Sequence, residues 1–493
     1  MSFLTWLSDP ISIVALLVGA LGWWIRLAAL GRIPENRRPA AAMAWMIVIV
    51  AAPLTGLALF WLFGSTKLGR RRSARHAEVS ERLAQGTAGA AIEPGQVAAA
   101  PYVRSAAFLN RRLSQLPMSG GNSVELIPDY ASSLAAMEAA IDRAERYVYV
   151  EFYITAWDEA TSPLFDAMVR ATRRGVTVRL LFDHLGSRGI PGYKQMRERL
   201  RSTDIAWQPM LPIAPFQGRW RRLDLRNHRK ILVVDGHVAF TGSQNLTEPG
   251  YNKPKNHKLG RNWVELMARL EGPVVSSLEV VFASDWYVET GEALSIEPAD
   301  AATTWPGATA GVDAQIVPSG PGLVAENNLR LFNTLIYGAE RRLSITSPYF
   351  VPDESLLYAV TTAAQRGVDV ELFVSEESDQ FMVGHAQASY YQVLLDAGVR
   401  IYLYPAPLIL HSKHFSVDDE VAVIGSSNMD MRSFALNYEV SMMLTGREIV
   451  QRFQEVEGVY RSLSRELTPE EWRGRPGRDK YVNNVMRLTA TLQ

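Results

Sequence analysis

The chain has 493 residues, with 51 Lys and Arg balanced by 51 Asp and Glu, and no cysteine. That length exceeds what one ordinary core needs, so two or more domains are expected. The absence of cysteine excludes disulfides, thiolate nucleophiles and Cys-ligated zinc, which leaves oxygen or nitrogen for any covalent chemistry.

Ile11–Leu30 is apolar except for Ser12 and Arg26, and Ala40–Phe63 is apolar apart from Thr55. Each is long enough to cross about 30 Å of hydrocarbon. Together they predict a transmembrane hairpin within residues 1–75, with spans of about 11–30 and 40–63. Arg26, near the end of the first span, is expected to reach the headgroups. A cleaved signal peptide is set aside, because no Lys or Arg precedes Ile11 and no cleavage site follows. Residues 1–75 hold nine basic residues against Asp9 and Glu35, so the remainder is net acidic. The cluster Lys67, Arg70, Arg71, Arg72 and Arg75 predicts a cytoplasmic body, with Arg32, Arg37 and Arg38 in the hairpin loop as a counterweight. An acidic body lacks the basic face that a nucleic-acid partner needs.

Residues 76–120 are rich in Ala, Gly and polar residues and read as a linker with some helix. From Ser123 onward, β-branched or aromatic runs (Tyr147–Ile154, Val176–Phe182) alternate with amphipathic stretches (Leu134–Ala144, Leu164–Arg173). That is the pattern of crossover units on a sheet covered on both faces. The pattern then recurs. AIDRAERYVYVEFYIT and LFDAMVRATRRGVTVRLLFD are answered by LIYGAERRLSITSPYFV and LLYAVTTAAQRGVDVELFVS, a period of about 190 residues, which signals a duplicated domain. The expectation is an α/β protein with two duplicated lobes, each a mixed sheet flanked by helices, related by a pseudo-twofold axis. The boundaries are 121–290 for the first lobe, 291–312 for a linker and 313–493 for the second lobe.

The first lobe contains NHRKILVVDGHVAFTGSQN, with His228, Lys230 and Asp235 spaced as HxKxxxxD and followed by Gly242, Ser243 and Asn245. The second contains LHSKHFSVDDEVAVIGSSN, with His411, Lys413 and Asp418 in the same spacing, then Gly425, Ser426 and Asn428. Two copies at the same point of a duplicated unit, each trailed by GSxN, leave little room for coincidence. In a strand, His and Lys two apart share a face, so each copy presents an imidazole and an ammonium to one space. The GSxN turn returns small polar groups to the same edge. Two such edges facing each other supply a nucleophile, a general acid and base, and fixed positive charge, which is the set that phosphodiester transfer needs. No Asp/Glu cluster of metal-ligand character accompanies the motifs, so metal-independent chemistry without a cofactor is expected.

The duplicated HKD motif with GSxN resembles the phospholipase D superfamily over about residues 120–493. The N-terminal spans, NRRPAAAMAWMIVIVAAPLTGLALFWLFG, SGGNSVELIPD, SPYFVPD and SSNMDMRSFALNYEV look like the bacterial cardiolipin synthases within it. The resemblance implies a phosphohistidine intermediate and transfer of a phosphatidyl group between two phosphatidylglycerols, releasing glycerol. It implies a bacterial inner-membrane protein whose partners are phosphatidylglycerol and cardiolipin. His228 is then the nucleophile and His411 the acid and base, the near-symmetry of the motifs leaving the reverse open. Lys230, Lys413, Asn245 and Asn428 bind the phosphoryl oxygens, assisted by Ser243 and Ser426. Glu265 in NWVEL and Glu439 in NYEV resemble the acidic partners that orient each histidine. Asp235 and Asp418 complete the catalytic motifs, in the role of holding the turn after each strand.

Two departures bear on acceptor shape: His-Ser-Lys where Ala is usual in the middle, and PAPLIL before His411 where a Gly-containing segment is commoner. Leu211, Ile213, Phe216 and Trp220, interleaved with Arg219, Arg221 and Arg222, suit a lipid interface or a buried connection. YNKPKNHKLGRN suits anionic headgroups or a solvated loop. His184, His237, His257, His385 and His414 receive no role. Phospholipid hydrolysis by the same residues, a superfamily nuclease and a non-catalytic membrane scaffold are the alternatives. Product analysis separates the first, the acidic body argues against the second, and two intact motifs argue against the third.

Overall fold

A computed structural model of the chain describes residues 10–489 except 36, 38, 65–67, 88–98, 214–223, 297–304 and 324–325. Two compact units emerge, an N-terminal one and a body formed by residues 68–214 and 225–493.

In the N-terminal unit, one helix, Ile13–Arg32, is long and apolar enough to cross a membrane, with a mean hydropathy of 2.0. The second predicted span is not one helix, so the expected two-span hairpin is corrected, among the described residues, to a single long apolar helix followed by shorter pieces. Pro39–Ala51 ends before Pro53–Leu59, and Phe60–Gly64 closes with a wider turn. The cause is Pro53. Proline has no N–H and pushes the residue before it out of the helical region, and Ala52 stands at φ −141°, ψ 85°. The break strips carbonyls of their helical donors, and Arg26 answers one of them, donating from Nε and Nη2 to Val50 O at 3.1 and 3.0 Å. Arg26 therefore closes a gap in the backbone ladder, in place of the headgroup contact that its position in the sequence suggests.

The body is built on one sheet of 15 strands among the described residues. From the centre outward, Ser119–Ile127 is followed by Met267–Glu271, Val238–Gly242, Lys230–Val234, Tyr147–Phe152, Thr177–Asp183 and Ala206–Met210. On the other side, Thr309–Ser319 is followed by Glu439–Thr445, Val421–Gly425, His414–Val417, Arg342–Thr346, Asp369–Ser375 and Arg400–Tyr404, with Arg465–Leu467 added at the edge. The two halves run through the same seven steps. In each, three parallel strands lead to an antiparallel hairpin that carries a motif. Ser119–Ile127 and Thr309–Ser319 pair antiparallel and join the halves. The expected mixed sheets are thus fused into one.

The three largest apolar clusters among the described residues cover this sheet. One belongs to each half, and the third, under the helices Val274–Thr290 and Arg447–Leu463, runs across the join. The stretch read as a linker is more ordered than its composition suggested. Arg70–Thr87 and Pro101–Ser114 are helices, and the second contributes Val103, Ala106 and Ala107 to the core. Its Asn110 amide donates to Gln315 at 3.1 Å. Of the basic cluster read as marking the cytoplasmic side, Arg72 is buried against Glu289 at 2.6 Å and Arg75 donates to Val288 O at 2.8 Å.

Candidate active site

Each motif histidine lies just before its hairpin strand. The strands begin at Lys230 and His414, so the reading of His and Lys on one face of a strand is corrected. At these points the backbone pairs with the opposite half. His228 N donates to Tyr438 O at 2.8 Å and Tyr438 N to Arg226 O at 2.9 Å. His411 N donates to Val264 O at 2.7 Å, where Ile409–Leu410 runs parallel to Trp263–Val264. The residues that follow Tyr438 and Val264 are Glu439 and Glu265.

Those carboxylates hold the histidines crosswise. Glu439, which follows the second motif, meets His228 Nδ1 at 3.0 Å. Glu265, which follows the first, meets His411 Nδ1 at 2.7 Å. Ser243 donates to Glu265 and Ser426 to Glu439, so each half supplies a serine and a carboxylate that orient the other half's histidine. Lys230 Nζ donates to His228 O at 2.6 Å, and Lys413 Nζ to His411 O at 2.5 Å. Each ammonium has further N–H groups. His228, Lys230, Ser243, Asn245, Glu265, His411, Lys413, Ser426, Asn428 and Glu439 are all buried.

One difference between the two sides bears on the histidine proton. His228 Nδ1 also lies 3.0 Å from Ser426 O. A carbonyl only accepts, so Nδ1 carries the proton and Nε2 keeps its lone pair. The Glu265 contact alone does not fix which nitrogen of His411 is protonated.

Charge follows geometry. Burial pushes the His228 imidazole down to about 4 against the pull of Glu439, helped by the two ammonium groups. Burial would raise the Glu439 carboxyl, but His228, Lys230 and Ser426 together hold it below the ordinary value. We therefore take the His228–Glu439 pair as neutral imidazole beside carboxylate. Burial raises Glu265 to about 8 despite Lys413. His411 is lowered by burial and by Lys413, Lys230 and His228. Burial lowers both lysines, Lys413 to about 8 and Lys230 well below its ordinary value, where the Lys413 charge adds to the effect.

Asn245 is committed to its own turn, donating to Tyr251 Oη at 2.8 Å and accepting from Ile154 N at 3.3 Å. Asn428 Oδ1 is buried without a hydrogen-bond partner. Asp235 and Asp418 stand apart from this set, at the far ends of their strands. Asp235 accepts from the N–H groups of Glu145, Arg146 and Tyr147 at 2.7–2.8 Å, and Asp418 from those of Glu340, Arg341 and Arg342 at 2.8–3.1 Å. Gly242 and Gly425 of the GSxN turns have a different cause. A Cβ there would come within 2.4 Å of Leu266 O and 2.3 Å of Val440 O.

Two aromatic neighbours escaped the sequence reading. Tyr153 packs edge-on against His228 with ring centres 4.8 Å apart, and Tyr349 against His411 at 6.3 Å. Their signal was their place at the ends of the repeated EFYIT and SPYFV strands. Phe216, Arg219, Trp220, Arg221 and Arg222 lie outside the described residues, whereas Leu211 is buried. In YNKPKNHKLGRN, Lys253, Lys255 and Lys258 are exposed around the short helix Pro254–Leu259. Among the described residues no group of three or more His, Asp or Glu side chains is arranged to hold a metal ion.

Residues 137–286 and 332–456 each match the family model described as "Cardiolipin synthase, PLD-like domain". Cardiolipin synthase A of Pectobacterium carotovorum is 34% identical over 481 residues, covering 96% of this chain and 97% of that protein. Cardiolipin synthase A of Yersinia pseudotuberculosis is 34% identical over 469 residues, covering 93% and 94%. Among solved structures, a phosphatidylserine synthase from Haemophilus influenzae shares the fold with a TM-score of 0.60 at 14% identity, covering 78% of this chain and 99% of that one.

Proposed function

Because the chain belongs to the cardiolipin synthase family of phospholipase D-like proteins, we propose that it is a membrane-anchored phosphatidyltransferase that joins two phosphatidylglycerols into cardiolipin and releases glycerol. The observation that carries this reading is the crossed pairing, His228 with Glu439 and His411 with Glu265, which ties both histidines and both lysines into one buried cluster.

In the first step His228 Nε2 attacks phosphorus and the bond from phosphorus to the glycerol oxygen breaks. Supporting this role, Nδ1–H is held by Ser426 O and Glu439, which leaves Nε2 as the free nucleophilic nitrogen. The departing oxygen takes a proton from His411 Nε2, and His411 Nδ1 is refilled from Glu265. Support comes from the high affinity of the buried Glu265 carboxyl for its proton at neutral pH. In the second step the pair takes the proton from the acceptor's glycerol hydroxyl. That oxygen attacks phosphorus, the phosphorus–nitrogen bond breaks and cardiolipin leaves. Lys230 and Lys413 balance the charge on the non-bridging oxygens, and Asn428 can join them only through its Nδ2–H donors. Asp235 and Asp418 act on the fold, each half, 121–290 and 313–493, contributing one motif.

We place the anchor helix in a bacterial inner membrane and the body on its cytoplasmic face. The basic residues after the apolar segment support that side, and the exposed Lys253, Lys255 and Lys258 suit anionic headgroups.

The test is to incubate the purified full-length protein in phosphatidylglycerol vesicles and follow cardiolipin and glycerol. His228→Ala and His411→Ala are each expected to lose at least about 10³-fold in rate. Unchanged cardiolipin synthesis in either variant would overturn the site. Phosphatidic acid as the main product would make the protein a hydrolase.

A further inference from the structure

We propose that Arg72, His76 and Tyr438 form a clamp that positions the His228–Glu439 pair, making the helix Arg70–Thr87, outside both motif-bearing halves, a working part of the reaction centre. This rests on the reading of His228 as nucleophile and Glu439 as its orienting carboxylate.

Tyr438 links this helix to the His228–Glu439 pair. It is fully buried, its carbonyl accepts from His228 N at 2.8 Å, and the next residue is Glu439. Its ring is gripped from the helix. His76 stacks on it with ring centres 5.8 Å apart and planes 13° apart, and His76 Nε2 lies 3.1 Å from Tyr438 Oη. Arg72 sits over the ring at 5.4 Å and donates from Nε to Oη at 3.4 Å. Burial and the Arg72 charge lower the His76 imidazole to about 4, so a neutral ring shares a hydrogen bond with the Tyr438 hydroxyl. Arg72 is itself tied to Glu289 at 2.6 Å. From the motif side Arg229, between His228 and Lys230, also lies 5.4 Å from the Tyr438 ring and donates to Glu439 O at 3.0 Å. The fit is tight, since a Cβ on Gly320 would come within 2.9 Å of Tyr438 Cα.

Among the described residues the other half has no such clamp. The residue equivalent to Tyr438, whose carbonyl holds His411 N, is Val264, and Ser412 stands where the first motif has Arg229. Fold maintenance alone would serve both halves alike. The clamp serves the one imidazole that must meet phosphorus in a fixed line of attack, where a displacement near 1 Å costs about 10²-fold in rate.

The experiment compares kcat, KM and the acid limb of kcat in phosphatidylglycerol vesicles for full-length wild type, Tyr438→Phe, Arg72→Gln, Arg72→Lys and Arg75→Gln. Arg75 is the control, docking the same helix through Val288 O without touching Tyr438. Tyr438→Phe and Arg72→Gln are expected to lower kcat about 10- to 100-fold with KM within about twofold, and to move the acid limb upward. Arg72→Lys should recover part of the loss and Arg75→Gln stay within about twofold. The clamp is refuted if Tyr438→Phe and Arg72→Gln keep wild-type kcat and pH profile. It is equally refuted if Arg75→Gln loses as much as they do, because that pattern means helix docking only. Should Arg72→Gln fail to fold, Tyr438→Phe, which keeps the ring, decides. A wild-type rate in His228→Ala would instead sink the underlying mechanism, and a dead His228→Ala beside an unaffected Tyr438→Phe would sink the clamp alone.

Discussion

His228 and His411 occupy matching places in matching motifs, yet their proton inventories differ. Ser426 O and Glu439 hold a proton on His228 Nδ1, whereas His411 faces a carboxyl that burial raises to about 8. The signs of these shifts set a pH window. In the proposed mechanism attack needs neutral His228, which gains its proton only as pH falls toward about 4. Protonation of the leaving group would then need the proton of the Glu265–His411 pair, which is lost as pH rises through about 8. Lys413 loses its ammonium charge in the same range. A plot of kcat against pH in phosphatidylglycerol vesicles should therefore be a broad bell with limbs near 4 and 8. A loss of activity centred on the ordinary histidine value of about 6.5 would contradict it.

Among the elements, the hairpins that follow the motifs explain why Asp ends each HxKxxxxD. Asp235 and Asp418 adopt φ of 53° and 52°, a left-handed conformation that Asp tolerates better than most residues. Each carboxylate collects three N–H groups at the start of the neighbouring strand. Replacing either by Ala orphans three donors and strains the turn, so Asp235→Ala and Asp418→Ala should each lower unfolding free energy by about 2–4 kcal/mol. Urea titration reads this directly. In Asp235→Asn, which keeps one acceptor and tolerates the turn, the loss should be smaller. The fraction that stays folded should retain transfer activity, and a folded but dead Asp235→Asn would place this residue in the chemistry after all.

For the whole molecule, the crossed pairs make each half incomplete. Glu265 belongs to the first half but serves His411, and Glu439 belongs to the second but serves His228. Function should therefore group the residues by pair and not by half. A phosphodiester with a nitrophenolate leaving group needs no proton donor in the first step. On it, His411→Ala and Glu265→Gln should regain release of nitrophenolate by about 10²-fold or more relative to their loss with lipid, whereas His228→Ala and Glu439→Gln should not. Rescue that followed the halves, with Glu439→Gln behaving like His411→Ala, would refute the crossing.

Much of this was legible in the residues alone. HxKxxxxD with GSxN, repeated in register with two similar βα patterns, announced the family, the duplication, the α/β class and the buried His, Lys and Ser set, because spacing along one element survives folding unchanged. Other features depended on which backbones meet. The split of the second apolar stretch needed Pro53 to release a carbonyl and Arg26 to come back for it. The assignment of Glu439 to His228 and of Glu265 to His411 needed the strands of one half to run beside the other half's motif. Arg72 and His76 sat in a stretch whose composition reads as linker, and nothing local marks a helix for docking on a tyrosine 366 residues further along the chain. Local sequence encodes which groups are present and in what conformation, whereas contacts between distant segments arise only when the two halves close into one sheet and exclude water from the groups between them.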